Sequence, residues 1–155
     1  MGLGIDASGE PLIHAVQAGC DVIKPNHHEL AALVDRTLET LGDVVDAARE
    51  VQQRGVATVV VSLGSRGALL VSEEGDLTFG YAPANEVRNT VGAGDAFFAG
   101  FLSAGGSGNK ALSEALAWGR AAVSSVSTAF PPATDEDRAA VVISAEIDRT
   151  IQMER

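Results

Sequence analysis

Disulfide chemistry is the first thing this chain cannot use. Cys20 is its only cysteine, so no intrachain bridge can form, which agrees with a reducing, cytoplasmic setting. Its position beside the apolar pair Val22-Ile23 reads as that of a small core residue. Positive charge is scarce: 11 Lys and Arg face 21 Asp and Glu, for a formal net charge of −10. That balance argues against a nucleic-acid partner and against an anionic membrane surface. It does not exclude an anionic substrate, because a local cluster of donors can oppose the global charge. Aromatic residues make up only 5% of the chain. No stretch approaches the roughly 18 uninterrupted apolar residues of a membrane-spanning helix, and the first residues lack the basic-then-apolar pattern of a secretory signal. Internal repeats and low-complexity tracts are also missing. What remains is a globular composition, with 46% hydrophobic residues and 17 glycines over 155 positions, enough for one modest domain with many tight turns.

The patterning alternates between strand and helix. Residues 2–7 read as a strand running into the turn Asp6-Ala7-Ser8-Gly9, and Pro11 to Ala18 as a helix closed by Gly19. Asp21 to Lys24 is a short strand stopped by Pro25, and His28 to Val34 a short helix. Asp43 to Arg54 carries Val44, Ala47, Ala48 and Val51 at helical spacing, with Gly55 as the stop. Val56 to Leu63 is β-branched enough for a buried central strand. Gly67 to Val71 and Leu77 to Tyr81 read as paired strands about the turn Glu73-Glu74-Gly75-Asp76. Helices are expected over Asp95 to Ala104, Lys110 to Thr128 and Asp135 to Ile151. The pattern predicts an α/β layered sheet with helices on its faces, in which ligands sit beyond the carboxyl ends of strands.

Three loops could carry chemistry. In Gly92-Ala93-Gly94-Asp95 a glycine turn precedes an acidic residue at the start of an apolar helix. Glycines let backbone N–H groups approach a ligand, and a helix N-terminus favours an anion. Asp95 beside such an anion is placed to act as a base; it is equally an ordinary helix cap. The turn is not the dinucleotide fingerprint, which would need glycine where Phe97 stands, nor a Walker A loop. A nicotinamide-binding dehydrogenase domain is disfavoured on that ground. In Lys24-Pro25-Asn26-His27-His28-Glu29-Leu30, Asn26 and Glu29 have the spacing of a capping box, and their oxygens also suit hydrated Mg²⁺. His27 and His28 are adjacent and are expected to diverge, facing solvent or touching a ligand singly. The third loop, Ser62-Leu63-Gly64-Ser65-Arg66-Gly67, follows the central strand; it reads either as a tight connection or as a phosphate loop made of backbone N–H groups.

The series Asp6-Ala7-Ser8-Gly9, Lys24-Pro25-Asn26-x-x-Glu29-Leu30, Val61-Ser62-Leu63-Gly64-x-x-Gly67-Ala68 and Asn89-Thr90-Val91-Gly92-Ala93-Gly94-Asp95 resembles the ribokinase-like (PfkB) sugar kinases, in matching order. It is most similar to their phosphosugar branch, the 1-phosphofructokinases, with tagatose-6-phosphate kinases close by. The resemblance implies a ribokinase-like layered sheet. It implies Asp95 as the base that takes the proton from the attacking sugar hydroxyl, and Gly92, Ala93 and Gly94 as the anion hole for the transferred phosphoryl group. It implies Ser62, Gly64, Ser65, Gly67 and Thr90 as ATP contacts, and Asn26 and Glu29 as residues that organise Mg²⁺ through water. The activity implied is transfer of the ATP γ-phosphate to fructose 1-phosphate, giving fructose 1,6-bisphosphate.

Two departures from the family qualify that expectation. Its members are considerably longer, and what is missing corresponds to the N-terminal half, with the lid and most sugar-binding residues. The chain, residues 1–155, is therefore expected to be the C-terminal ATP-binding and catalytic-base portion, with a phosphosugar as its small-molecule partner and homo-oligomer formation left open. Gly119-Arg120 also stands where some relatives carry Ala-Asn near the adenine, which leaves the adenine contact unassigned. The alternatives are another PfkB-type sugar kinase, such as a tagatose-6-phosphate kinase, and a non-catalytic module that binds ATP or associates with a subunit.

Overall fold

The computed structural model describes residues 4–5, 9–84, 87–88, 90, 92–125 and 131–153. Its strands form a sheet in the order β1-β2-β3-β4-β5-β6, comprising β1 (Gly4–Ile5), β2 (Val22–Ile23), β3 (Thr58–Ser62), β4 (Ala68–Val71), β5 (Leu77–Tyr81) and β6 (Val142–Ser144). The helices are α1 (Glu10–Ala18), α2 (His27–Val34), α3 (Leu41–Gln53), α4 (Ala93–Ser103), α5 (Gly108–Val123) and α6 (Asp135–Ala139). The chain divides into two compact units, one of Met1–Gly64, Ala68–Phe79 and Ser144–Arg155, the other of Ser65–Gly67 and Gly80–Ile143.

In the first unit β1, β2 and β3 run parallel, with Val22 opposite Thr58 and Ile23 opposite Val59. Helices fill the crossovers, as parallel pairing requires. β4 then turns back antiparallel to β3, with Val59 opposite Val71 and Ser62 opposite Ala68. Along these strands Val59, Val61, Leu69 and Val71 join one core with Leu12, Val16, Leu30, Val44 and Val51 of the three helices. Val60, Ala68 and Leu70 alternate with them and are as deeply buried. The sheet is therefore covered on both faces, and this explains its continuous apolar runs. α3 starts two residues earlier than its apolar spacing suggests. Thr40 and Asp43 form a reciprocal capping box, and the carbonyls of Ile151 and Arg149 accept the N–H groups of Leu41 and Gly42 at 2.7 and 2.9 Å. The N–H groups of Glu39 and Thr40 draw the Asp43 carboxyl below its ordinary value.

In the second unit α4 and α5 pack along their length, burying Phe97, Phe98 and Phe101 on one and Ala111, Leu112 and Ala115 on the other. Close approach is achieved with glycine: a Cβ on Gly100 would lie 2.7 Å from Trp118 Cγ and 3.0 Å from the Glu114 carbonyl.

The expected helix from Asp135 to Ile151 is not formed. α6 stops at Ala139, and Val142 to Ser144 is strand β6. The β-branched Val141-Val142-Ile143 run favours extended chain. Beyond it, local side-chain bonds compete with helix. Ser144 Oγ accepts the Glu146 N–H at 3.0 Å, and Asp148 Oδ1 accepts the Thr150 N–H at 3.0 Å and its hydroxyl at 2.6 Å. α5 likewise ends at Val123 with Ser124 as its C-cap; of the expected extension to Thr128, residues 126–128 lie outside the described residues.

Candidate active site

In the first unit the sheet brings three of the expected residues together. Two residues past the end of β2, the Pro25 carbonyl accepts the Ser62 N–H at 3.0 Å, and Asn26 bridges Ser62 in parallel register. The last residue of β3 thus sits beside the N-cap of α2. Asn26 Oδ1 accepts the Glu29 N–H at 2.8 Å, and Glu29 Oε1 accepts the Asn26 N–H at 2.9 Å, a complete capping box. The cap consumes one carboxylate oxygen and leaves Oε2 out of it. A single half-buried carboxylate with an adjacent amide suits a hydrated Mg²⁺ reached through its waters, since that ion is held by one or two carboxylates plus phosphates rather than by an all-protein cage. Glu29 also lines a cleft of about 250 Å³ with Leu12, Ile13 and Ala32. The two histidines do not diverge as expected. Their rings lie 4.0 Å apart, tilted by 38°, and His27 is buried whereas His28 is exposed. They border a larger cleft of about 760 Å³, reaching Arg36 and Met153, that includes neither Glu29 nor Ser62.

After β3 the chain makes one 3-10 turn, Gly64–Arg66, with Gly64 at φ 62° and both Gly64 and Ser65 exposed. Gly67 has φ 110°, and a Cβ there would run into the Gly80 carbonyl. Its glycine is thus demanded by packing, whatever the loop binds.

In the second unit the glycine turn is the N-terminus of α4. Gly92 is the N-cap in the left-handed region, φ 81° and ψ −2°, and no side chain caps the helix. The helix starts at Ala93, two residues before the expected position, so Asp95 is the third residue of the first turn rather than its opening residue. The Ala93 N–H makes only a long 3.4 Å bond to the Thr90 carbonyl, while the first full helical bond runs from the Ala96 N–H to Gly92 at 2.9 Å. Thr90, Gly94 and Asp95 are all exposed. One helix end therefore presents first-turn N–H groups, the positive end of the dipole and a carboxylate together. Asp6, Ala7, Ser8, Asn89 and Val91, which belong to the same sequence series, lie outside the described residues.

The chain as a whole has counterparts among known proteins. The family model for "pfkB family carbohydrate kinase" matches residues 4–135. The chain belongs to the pfkB family of carbohydrate kinases. It is 47% identical over 104 residues to a 1-phosphofructokinase of Haloferax volcanii, an alignment covering 66% of this chain and 33% of that one. Among solved structures it is similar to phosphofructokinase-2 from Escherichia coli in complex with potassium, with TM-score 0.78 and 34% identity over 88% of this chain and 45% of that one. It is also similar to Arabidopsis thaliana ribokinase complexed with ribose and ATP, with TM-score 0.75 and 28% identity over 89% of this chain and 46% of that one. The fold is ribokinase-like, and this pfkB-family chain spans less than half the length of each of these three relatives.

The sequence reading left one feature of the pfkB-family chain unexplained. Arg120, near the end of α5, is only 8% exposed. Its Nη1 donates to Asp137 Oδ1 at 2.6 Å and its Nε to the Pro83 carbonyl at 2.9 Å. The Thr134-x-x-Asp137 spacing was a readable capping signal; the arginine's partners, 17 and 37 residues away, were not.

Proposed function

We propose that this chain is the C-terminal, ATP-binding and catalytic-base portion of a phosphosugar kinase that transfers the γ-phosphate of ATP to fructose 1-phosphate. The observation that carries the reading is the open N-terminus of α4, with exposed Asp95 on its first turn and, among the described residues, no side chain capping its N–H groups. Phosphoryl transfer asks the protein for positioning and for stabilisation of charge spread over the phosphoryl oxygens. The N–H groups about Gly92, Ala93 and Gly94 stabilise that charge. The Asp95 carboxylate accepts the proton of the sugar hydroxyl as its oxygen attacks the γ-phosphorus, and ADP leaves. Ser62, Gly64, Ser65, Gly67 and Thr90 contact ATP. Asn26 and Glu29 orient Mg²⁺ through its waters, and when bound that ion neutralises phosphate charge. The names of the relatives support fructose 1-phosphate as the acceptor, and the ATP in the ribokinase complex supports the nucleotide. The remaining sugar-binding elements belong to an N-terminal half of the fold, for which the outer edge of β1 offers the strand to pair with.

The test is ADP release by the polypeptide its gene encodes in full, with fructose 1-phosphate and with tagatose 6-phosphate as acceptors. Asp95→Asn keeps size and polarity but removes the base, and turnover should fall by about 10²–10⁴-fold with little change in ATP affinity. Turnover within a few-fold of the parent would move the base elsewhere. ATP binding without turnover of either sugar would turn the reading toward a non-catalytic module.

A further inference from the structure

The turn that carries Asp95 has no side-chain cap of its own, so something else must hold it. The second unit shows what does. Between β5 and α4 two of the described residues, Pro83 and Arg88, are tied to the last turns of α5. Arg120 Nε holds the Pro83 carbonyl at 2.9 Å, and one turn further along α5 the Val123 carbonyl accepts the Arg88 N–H at 2.8 Å. Just before Arg120, Gly119 faces the first turn of α4: a Cβ there would lie 3.7 Å from Phe97 Cβ and 3.9 Å from the Ala93 carbonyl. Residues 119, 120 and 123 of α5 thus contact Pro83 and Arg88 before the glycine turn and the first residues of the helix that follows it.

Arg120 is in turn fixed from the far side. Asp137 Oδ1 receives its Nη1, while Asp137 Oδ2 accepts the Thr134 N–H at 2.9 Å and its hydroxyl at 3.0 Å. Both side chains are more than nine-tenths buried. Burial alone would push the Asp137 carboxyl up, but the Thr134 N–H, the guanidinium and the Thr134 hydroxyl together bring it below its ordinary value, so the pair is charged. A buried arginine whose fork is committed to a carboxylate and a carbonyl has no fork left for a nucleotide base.

We propose that the Arg120–Asp137 ion pair is a positioning device for the Gly92–Asp95 turn, holding Pro83 against α5 and steadying the part of α5, at Gly119, that faces the first turn of α4, so that the open end of α4 stays in register for phosphoryl transfer. What the turn does rests on the kinase reading above; what holds it rests on geometry alone. Arg120 is a positioning residue and contacts no reactant.

The test uses Arg120→Met, Asp137→Asn and the gentler Arg120→Lys, which keeps the charge but loses the fork. All are measured on the polypeptide the gene encodes in full. Two readouts separate positioning from bulk stability. The first is amide hydrogen exchange: the first hydrogen-bonded amides of α4, residues 96–99, should exchange about tenfold faster or more, while the amides of β3 keep the parent's protection, because local opening is decoupled from global unfolding. The second is kinetic. Misplacement of a catalytic group from a distance can cost about 10²-fold, so kcat should fall toward that extent while KM for the sugar stays near the parent's. Arg120→Lys should fold and fall between the parent and Arg120→Met in both readouts. Unchanged exchange at 96–99 in Arg120→Lys and Asp137→Asn, or acceleration there no greater than in β3, overturns the proposal. A parent without sugar-kinase turnover defeats the functional reading alone, because the exchange comparison still decides whether the pair holds the turn.

Discussion

Two helix N-termini in this chain are built in opposite ways. α2 is closed by its own side chains: Asn26 and Glu29 satisfy each other's backbone N–H groups at 2.8 and 2.9 Å. α4 opens on Gly92, in the left-handed region, with no side-chain cap among the described residues. The first arrangement stabilises its helix locally and leaves only the unused part of a carboxylate for anything else. The second has no side-chain cap among the described residues and depends on neighbours, the packing of α4 against α5 at Gly100 and Gly119 and, on the proposal above, the Arg120–Asp137 pair. A helix end kept for a ligand must be held by something other than its own cap. Reciprocally capped α2 and externally held α4 are two solutions to the same problem of orphan N–H groups.

The strongest way to break the contrast is to close the open end. Gly92→Asp places a carboxylate against the donors of α4; Asp tolerates the left-handed region better than most residues. On the function proposed above, occupying those donors should cost about 10²–10³-fold in kcat. Steady-state kinetics beside a thermal melt checks this, and a comparable loss of folding would make the glycine purely conformational.

Next in size, Gly100→Ala should destabilise by about 1–3 kcal/mol by overpacking against Trp118, partly offset by alanine's better helix propensity. The urea midpoint measures it. A stabilised variant would show that α4 and α5 can separate freely and that α4 is not held as described.

On the capped side, Asn26→Ala should lose about 1 kcal/mol, the ordinary worth of an N-cap. Glu29→Gln should change stability by only a few tenths of a kcal/mol, because glutamine also completes a capping box. If Oε2 serves the metal, the Mg²⁺ concentration for half-maximal activity rises in Glu29→Gln all the same. A loss of stability with unchanged Mg²⁺ dependence would assign the residue to the cap alone.

A smaller effect concerns acid. Asp137 is held below its ordinary value despite its burial, and Glu114 is lowered first of all by its hydrogen bond to Arg138. A carboxylate with a depressed folded pKa contributes stability that is complete above its unfolded value of about 4 and is lost as pH falls through the folded value. The second unit should therefore weaken below about pH 4, and Glu114→Gln should flatten that decline. A decline unchanged in slope would place the sensitive carboxylates elsewhere.

Much of this was legible in the sequence because it is local. The β-branched run before Ser62, the apolar spacing of Val44, Ala47, Ala48 and Val51, and the three-residue step from Asn26 to Glu29 each encode structure within a few residues. The same locality misled at the C-terminal end, where apolar residues over 135–151 imitate helical spacing. There the Val141-Val142-Ile143 run and the Ser144 and Asp148 side-chain turns decide against it. His27 and His28 were misjudged because burial of one ring depends on what packs over α2. Arg120 was opaque for a related reason: its partners are set by tertiary fold, and nothing about an arginine among alanines says which carbonyl and which carboxylate will meet it.

The seal on α3 has a consequence in time. Its first two N–H groups are satisfied by Ile151 and Arg149, and the Arg149 side chain reaches the Gly42 carbonyl across 107 residues of sequence. Those acceptors are made long after the helix they complete. At synthesis rates of about 5–20 residues per second, α3 waits roughly 5–20 seconds with its leading turn closed only by Thr40 and Asp43. The Thr40–Asp43 box is thus the seal that serves during birth, and the strand of backbone from Arg149 to Ile151 is the one that serves afterwards.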